Sequence, residues 1–491
     1  MSAARLTPKV RRRNALSYGA ALMAFRRAHD PQADDGTDAL VDGDRALPRG
    51  TAQAALRHRD FRLVWSGTFA SNVGTWMQNV LLGQFAYGLT KDPGYVGLLY
   101  FAQLGPLLFL GQIGGVIADM VNRRRYLITM QVLQLVLSFG LAGLAAIDHP
   151  STSAIFVCVL AIGIVNALGA PAMGAILPTL VPREDLTGAV SLQSVQMNLS
   201  RVIGPAIGAP LYAVFGPAPV FAINAATYLF AVAGLALARF DARNPNPVEG
   251  RPMEKLLSGF NIARRDPLIR RVLITMFVFS FFSLMFVGLM PEIAAANLGI
   301  QEKSQTYGFL YAAFGLGAAL GAISVGTYLA GHSKPLIMRR ALFAFAFLLT
   351  AFALVRDVAV AFPTVAVLGF AYFMVITCLS QVLQAHLDNA VRGRIMALWI
   401  MSFGGTVPIG VLVGGYLVKG HLWGLPLAPV SITAVLIGGA VVALLLVWYC
   451  DLIAVGAPTL DAAVVRSDQP GRNQRGPNRL CYGDRGMNRP R

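Results

Sequence analysis

The sequence predicts an all-α polytopic membrane protein, and the observations behind this are its composition and the length of its apolar runs. Of the 491 residues, 55% are hydrophobic and only 13% are charged, which is about half the charged fraction of a typical soluble protein. Apolar runs of about 18 or more residues recur along the chain, and each is long enough to cross a hydrocarbon core of roughly 30 Å. A soluble globular fold is therefore excluded.

The apolar runs divide into twelve predicted transmembrane helices, in two groups of six around one long polar break. The predicted spans cover residues 62–89, 95–118, 126–147, 154–179, 190–215, 218–238, 270–297, 305–330, 337–355, 358–384, 394–418 and 428–452. Outside them we expect a disordered cytoplasmic N-terminal tail (1–57), a cytoplasmic linker (239–269) and a disordered cytoplasmic C-terminal tail (455–491). The two helical bundles then extend over residues 58–238 and 270–454.

The distribution of basic residues predicts the orientation of the spans. The loops after odd-numbered spans contain only Lys91, Lys303, Arg356 and Lys419, and the other basic residues lie in the tails, in the alternate loops or near those helix ends. Basic loops stay on the cytoplasmic side, so both termini are expected in the cytoplasm and the multi-pass chain in the inner membrane. The net charge of +17 belongs to this pattern and indicates no nucleic-acid partner.

The two halves of the chain resemble each other in the order of their motifs. Residues 95–100 recur as residues 306–311, so that Gly97 corresponds to Gly308. Near the end of each half, the spacing of Gly204 and Gly208 recurs in Gly410 and Gly414. Six spans repeated in the same order predict two parallel, pseudo-symmetric bundles related by an axis along the membrane normal.

The loop between the second and third spans contains Gly115, Asp119, Arg123 and Arg124. It resembles the Gly-x-x-x-Asp-Arg-x-Gly-Arg-Arg loop of the major facilitator superfamily, although Met120 replaces an arginine of that pattern. The resemblance implies the major facilitator fold and a charge relay at a cytoplasmic gate, where a breakable ion pair biases two states. The alternative is that the arginines only set topology and the aspartate caps a helix.

A second motif lies in the fifth span, where Gly204, Pro205 and Gly208 resemble the Gly-Pro-x-x-Gly-Gly antiporter motif of exporters in that superfamily. Small residues four apart also allow close helix packing without any further role. Arg201, one turn earlier, is interpreted as an anchor at the cytoplasmic end. Residues 59–65, 71–77 and 392–396 resemble the branch of the superfamily that contains enterobactin exporters and macrolide-efflux proteins.

Polar residues inside apolar spans are the candidates for substrate contact, because lipid does not tolerate them without a partner. Asn72, Thr75 and Asn79 share one face of the first span, since they are three and four residues apart. The predicted cavity residues are Asn72, Thr75, Asn79, Gln103, Asn166 and Gln381. Hydrogen bonding between helices is the alternative role for each of them.

Glu292 is the one carboxylate predicted to lie properly within a span, and it is the candidate for proton coupling. An outer gate or a solvated helix end are its alternative roles. The six histidines are scattered and the four cysteines show no metal-ligand spacing, so no metal, cofactor or enzymatic site is expected. The sequence lacks a Walker A motif.

These features predict a secondary transporter that exports a drug, macrolide or siderophore-like molecule by alternating access, with protons as the coupling ion. Its expected partners are that small molecule, protons and membrane lipids, and it is expected to be a monomer. Uptake or lipid flipping by the same fold is the alternative within transport. An integral-membrane enzyme is the alternative outside it, and it would need the clustered His, Asp or Cys residues that the sequence lacks.

Overall fold

A computed structural model describes residues 50–240, 252–301, 304–422, 425–426 and 428–452. Within these ranges the chain is almost wholly helical, with two short strands, β1 (His421–Leu422) and β2 (Leu425–Pro426), paired antiparallel. The helices are α1 (Ala52–Arg57), α2 (Arg59–Thr90), α3 (Pro93–Leu104), α4 (Pro106–Met120), α5 (Arg123–Ala145), α6 (Thr152–Leu180), α7 (Leu186–Phe215), α8 (Pro217–Leu237), α9 (Pro252–Arg265), α10 (Pro267–Val278), α11 (Met285–Gly288), α12 (Met290–Ala296), α13 (Gln305–Gly326), α14 (Lys334–Leu354), α15 (Val358–His386), α16 (Asn389–Ile400), α17 (Thr406–Lys419) and α18 (Ile432–Tyr449).

Ten helical segments of the described residues are long and apolar enough to cross a membrane. They are Pro93–Gly111, Arg123–Ala145, Thr152–Leu180, Pro217–Leu237, Pro267–Gly288, Gln305–Gly326, Lys334–Leu354, Val358–His386, Val391–Lys419 and Ile432–Tyr449. The helices α2 and α7, with 32 and 30 residues, occupy the first and fifth predicted spans but fall outside this set. The polytopic helical fold is thus confirmed, and the count of twelve spans stays a prediction.

Short polar side chains begin several helices by accepting hydrogen bonds from the first turn. Asn122 accepts from the Arg125 amide at 3.1 Å and begins α5, and Ser151 accepts from the Ala154 amide at 3.3 Å and begins α6. Ser431 begins α18 in the same way. These capped starts keep the connections between neighbouring helices short.

Two of the predicted spans are interrupted by π-helical turns. The segment Phe279–Ser283 separates α10 from α11, and Met401–Gly405 separates α16 from α17. Predicted span 270–297 is therefore three short helices with a break at each junction. Such turns leave backbone groups without regular helical partners and often occur at functional positions.

The two halves of the chain contact each other through α3 with α17 and through α7 with α13. At the first contact, a Cβ on Gly97 would lie 2.8 Å from the Val411 carbonyl oxygen, and at the second a Cβ on Gly308 would overlap the Ala209 methyl group. Both sites therefore need glycine. Because Gly97 and Gly308 correspond in the sequence repeat, the repeat reappears as equivalent contacts between the halves.

The N-terminal boundary needs a correction, since residues 50–57 are described and packed rather than disordered. Ala54 and Ala55 in α1 are buried, and the Gly50 amide donates to Asp185 Oδ1 at 3.0 Å. His58 Nε2 lies 2.8 Å from Asp185 Oδ2. The rest of the predicted tails (1–49 and 455–491), residues 241–251 of the linker and residues 453–454 of the second bundle lie outside the described residues.

The end of the predicted linker is also structured, since α9 leads directly to Asp266, which caps α10. Asp266 Oδ1 accepts from the Leu268 and Ile269 amides at 2.9 and 3.0 Å, and its Oδ2 lies 2.8 Å from His386 Nε2. Burial acts to raise the pKa of this carboxyl, but the hydrogen bonds from Ile269 and His386 outweigh it, so the pKa lies below its ordinary value.

We expect Asp266→Ala to destabilise the protein by about 1 kcal/mol, the usual effect of losing a helix cap. Because the folded pKa is lowered, this contribution is present above the unfolded pKa of about 3.9 and is lost as the pH falls through the folded value. Thermal unfolding followed by circular dichroism at pH 7 and pH 3 checks this. Asp388→Ala is the matched control, since Asp388 precedes α16 without a side-chain cap bond; an equal loss in both variants would contradict the prediction.

Candidate functional site

The N-terminal half contains a cavity of about 320 Å³. Its wall is formed by α2, α5, α6 and α7, with contributions from α3 and α8, and its described lining residues include no charged side chain. The polar residues that line it are Thr68, Ser71, Asn72, Thr75, Gln78, Asn79, Gln103, Gln131, Gln134, Asn166, Gln193, Gln196 and Tyr228. A volume of this size matches the smaller ligand pockets of proteins, and its chemistry is neutral hydrogen bonding.

The structure brings together five of the six predicted cavity residues. Asn72, Thr75, Asn79, Gln103 and Asn166 all line this cavity. The sixth, Gln381, lies on α15 in the other half and is not among the residues that line this cavity, so its contact with a substrate stays a prediction. The prediction was of a central cavity, whereas this cavity lies within a single half.

Three of these predicted residues are already engaged between helices. Gln103 Nε2 donates to Asn79 Oδ1 at 2.6 Å, and the Thr75 hydroxyl lies 3.1 Å from the Tyr228 hydroxyl. The alternative role, hydrogen bonding between helices, is thus realised for Thr75, Asn79 and Gln103. These pairs shape the wall of the cavity and leave less of their hydrogen-bonding capacity for a ligand.

A second group of lining amides has unused hydrogen-bonding capacity. Among the described residues, the side chains of Asn72, Gln131, Asn166 and Gln193 make no hydrogen bond, and Gln131 Oε1 is buried without a partner. An amide that lacks a protein partner in a largely apolar surrounding is favoured to bond a ligand or water. These four residues are the strongest candidates for contact with a transported molecule.

Sequence reasoning missed the glutamines of α5 and α7. Gln131 and Gln134 are three residues apart on α5, and Gln193 and Gln196 are three apart on α7. This spacing places each pair on one helix face and could have indicated them. Gln134 and Gln196 support the wall instead, since Gln134 donates to the Ile162 carbonyl at 3.1 Å and Gln196 bonds Thr68 at 3.2 Å.

The interior of the C-terminal half contains packed aromatic rings at positions that correspond to the amide-lined cavity of the N-terminal half. Phe279 packs against Phe345 with ring centroids 4.9 Å apart, and Phe314 stacks on Tyr372 at 5.7 Å. Phe279 comes from the π-helical turn within the seventh predicted span, and the other rings come from α13, α14 and α15. These four spans are the counterparts of the first to fourth spans. The repeated fold therefore carries two different interiors.

The predicted gate residues contact elements of their own half. Arg123 Nη2 donates to Asp119 Oδ1 at 2.7 Å, and Arg124 Nε donates to the Leu235 carbonyl at 2.9 Å, at the end of α8. Gly115 has space beside it, whereas a Cβ on Gly114 would overlap the backbone of Leu168. The close approach of α4 to α6 therefore depends on Gly114.

The halves are joined at the opposite end of the molecule. Lys419 Nζ forms an ion pair with Asp92, and Gln84 Nε2 donates to the Ser304 carbonyl at 3.3 Å. Nearby, Glu292 lies close enough to Tyr87 of the other half to interact with it, and its Oε2 is buried without a hydrogen-bond partner among the described residues. Glu292 thus lies in a contact between the halves rather than on a lipid-facing surface.

The antiporter-like motif packs α7 against helices of both halves. A Cβ on Gly204 would lie 2.7 Å from the Met77 amide nitrogen, and a Cβ on Gly208 would overlap the Met77 side chain. The Pro205 carbonyl oxygen faces Gly308 on α13. The small residues of the motif therefore permit a three-helix contact of α2, α7 and α13.

Arg201 is not an anchor at a helix end, and that interpretation is corrected. It lies midway along the 30-residue α7. Its guanidinium carbon is 4.6 Å from the ring centre of Trp76 on α2 and 4.8 Å from that of Phe373 on α15. The cation therefore sits between the two halves, next to aromatic rings from each.

Comparison with known proteins places these features in a family. The family of transmembrane secretion effectors matches residues 50–475 of the chain. The enterobactin exporter EntS of Shigella boydii is 30% identical over 347 residues, which make up 70% of this chain and 81% of that protein. EntS of Escherichia coli O139:H28 has the same identity and coverage.

Solved structures agree at the level of fold. The nucleoside transporter NupG superposes with a TM-score of 0.65 at 12% identity, over 81% of this chain and 99% of NupG. The POT family transporter PepTSo gives a TM-score of 0.64 at 14% identity, over 81% of this chain and 98% of that one. At such identities the likeness is one of fold alone.

Proposed function

Because the chain belongs to the transmembrane secretion effector family of the major facilitator superfamily, and is thus a multi-pass membrane transporter, we propose that it exports a small organic molecule by alternating access. The uncharged, amide-lined cavity in the N-terminal half is the observation that carries the proposal. Export runs across the bacterial inner membrane, with both termini in the cytoplasm and the protein acting as a monomer.

The substrate class follows from the cavity wall. Asn72, Gln131, Asn166 and Gln193 offer amide donors and acceptors, and Trp65, Met130 and Met173 provide apolar surface beside them. This mixture suits a drug-sized molecule with several amide, ester or hydroxyl groups. The relatives named enterobactin exporters support a siderophore-like or macrolide-like molecule as the substrate.

The contacts between the halves support alternating access. They join the halves at the end that carries Asp92 and Lys419, while Arg123 bonds Asp119 and Arg124 bonds the Leu235 carbonyl, both within the N-terminal half. We interpret this state as closed towards the outside. In the opposite state, the Asp119–Arg123 pair would exchange partners across the gate, as a breakable pair in a two-state protein can.

Export is tested in inside-out membrane vesicles that contain the protein and a labelled macrolide or catecholate siderophore. We expect accumulation in the vesicles, because their interior corresponds to the outside of the cell. Vesicles without the protein are the control. Uptake of the same compound by right-side-out vesicles, without accumulation in inverted ones, would show import and overturn the proposal.

Proton antiport adds a second expectation, which concerns Glu292. Its buried Oε2 at a contact between the halves suits a group that binds a proton in one state and releases it in the other. We expect nigericin and valinomycin together, which collapse the pH gradient and the membrane potential, to stop accumulation in inverted vesicles. Glu292→Gln should lower it about a hundredfold or more, the usual scale for losing a proton-transfer group. Glu184→Gln, at an exposed loop carboxylate, is the control. Accumulation unchanged by the two ionophores would exclude antiport, and a silent Glu292→Gln would exclude only this residue.

A further inference from the structure

Arg201 carries a positive charge at the centre of the molecule without an opposite charge beside it. Among the described residues, no carboxylate pairs with Arg201, its side chain makes no hydrogen bond, and its Nε is buried without a partner. Trp76 and Phe373 provide cation–π contacts at 4.6 and 4.8 Å. Such contacts replace only part of the hydration that a guanidinium loses within a membrane protein.

The surroundings of Arg201 are aromatic on every element for which the structure gives an interaction. Tyr100 on α3, Tyr311 on α13 and Tyr372 on α15 are near enough to interact electrostatically with its charge. The α13 helix approaches closely, since a Cβ on Gly315 would lie 3.1 Å from the Arg201 carbonyl oxygen. The site thus combines one unpaired planar cation with several rings drawn from both halves.

We propose that Arg201 binds the anionic oxygen group of the transported molecule, and that the substrate is an aromatic organic acid. A guanidinium presents two parallel N–H donors that match a carboxylate, and such charge-assisted pairs are the strongest hydrogen bonds in proteins. The rings of Trp76, Tyr311 and Phe373 favour an aromatic group next to that acid. This inference rests on the proposed export function and names the substrate class for it.

The position of Trp76 connects this site to the amide-lined cavity. Trp76 is four residues after Asn72 and three before Asn79 on α2, so all three lie on one helix face. Asn72 and Asn79 line the cavity. Neither Trp76 nor Arg201 is among the residues that line the cavity, so a substrate that reaches from the amides to Arg201 is part of the proposal.

Binding to the purified protein tests the proposal without any gradient. The probes are 2-naphthoate and its uncharged isostere 2-naphthamide. Binding is followed as thermal stabilisation, with a thiol-reactive dye that reports exposure of the buried Cys378 and Cys450. We expect the carboxylate to bind the wild type about tenfold or more tightly than the amide, and Arg201→Gln to remove this preference.

Arg356→Gln is the matched control, because it removes an arginine that donates to the Ala353 and Val355 carbonyls and to the Thr433 hydroxyl; it should keep the wild-type preference. If Arg201→Gln does not fold, Arg201→Lys replaces it, and a severalfold weaker binding of the carboxylate is expected because the planar fork is lost.

A wild type that does not distinguish the two probes would overturn the proposal, as would a preference that survives at full strength in both Arg201 variants. Equal stabilisation by a short-chain phosphatidate would assign the site to a lipid headgroup and also overturn it. None of these outcomes depends on the vesicle export assay, so export can fail or succeed separately.

Discussion

Replacing Gly308 by leucine is expected to stop export while leaving a folded protein in the membrane. A side chain at this position overlaps the Ala209 methyl group and approaches the Pro205 carbonyl, where α13 of one half meets the antiporter-like motif of the other. Overpacking of this kind costs about 1–3 kcal/mol. The cost falls on the state in which the two halves are in contact at Gly308, so we expect that state to become about 5-fold to 150-fold less populated.

The population of that state can be measured through Gln84, which is 4% exposed and lies between the halves at the joined end. In a cysteine-free background, Gln84→Cys should react slowly with a membrane-impermeant thiol reagent, and Gly308→Leu should accelerate the reaction about tenfold. Gly326→Leu is the matched control on the same helix, because no atom lies within 4 Å of a Cβ there. Equal labelling and equal export in the two leucine variants would refute the steric argument.

Replacing Asn72 or Asn166 by leucine is expected to have the second largest effect, a loss of affinity for the transported substrate. Each amide lines the cavity and makes no hydrogen bond within the described part of the chain, so its loss removes a bond to the transported molecule and leaves no described protein group unpaired. A net hydrogen bond is worth about 0.5–1.5 kcal/mol, which corresponds to a roughly twofold to tenfold rise in KM for each variant. The double variant is expected to lose about tenfold or more.

Two comparisons separate this binding effect from a folding effect. Asn198→Leu, on α7 outside the cavity, removes an amide that bonds its own helix at the Ser194 carbonyl and should transport normally. Asn224→Leu breaks the buried 2.7 Å bond to Gln78 and should lower stability by about 1–3 kcal/mol, because it leaves an amide unpaired. Transport kinetics in inverted vesicles and thermal unfolding supply both measurements. Normal KM values for Asn72→Leu and Asn166→Leu would remove this cavity from the transport path.

The cavity was only partly predictable from sequence. The shared face of Asn72, Thr75 and Asn79 follows from helical periodicity, and the structure places all three in the lining. Gln381 satisfied the same criterion of a polar residue within an apolar span, but it lies on a helix of the other half. Helical periodicity predicts which residues share one face of a helix. It does not predict which helices surround a cavity, because that depends on contacts between distant segments of the chain.

Arg201 shows the same limit in energetic terms. From the sequence, a cation between apolar residues was assigned to a helix end, where its charge reaches water or lipid headgroups. The structure instead surrounds it with Trp76 of one half and Phe373 of the other, which are 125 and 172 residues away in the chain. No local pattern in the sequence indicates that rings from these two distant helices meet at Arg201.

The sequence by itself determined that this chain is a polytopic helical membrane protein, where most of its helices run, and that its halves repeat, because hydropathy, helix caps and glycine spacing act over a few residues. Only the tertiary structure decided that α1 packs on the bundle, that the amide-lined cavity belongs to one half, and that Arg201 lies between the two. These features depend on the rotation and close approach of helices far apart in the chain, which long-range packing sets and local sequence does not.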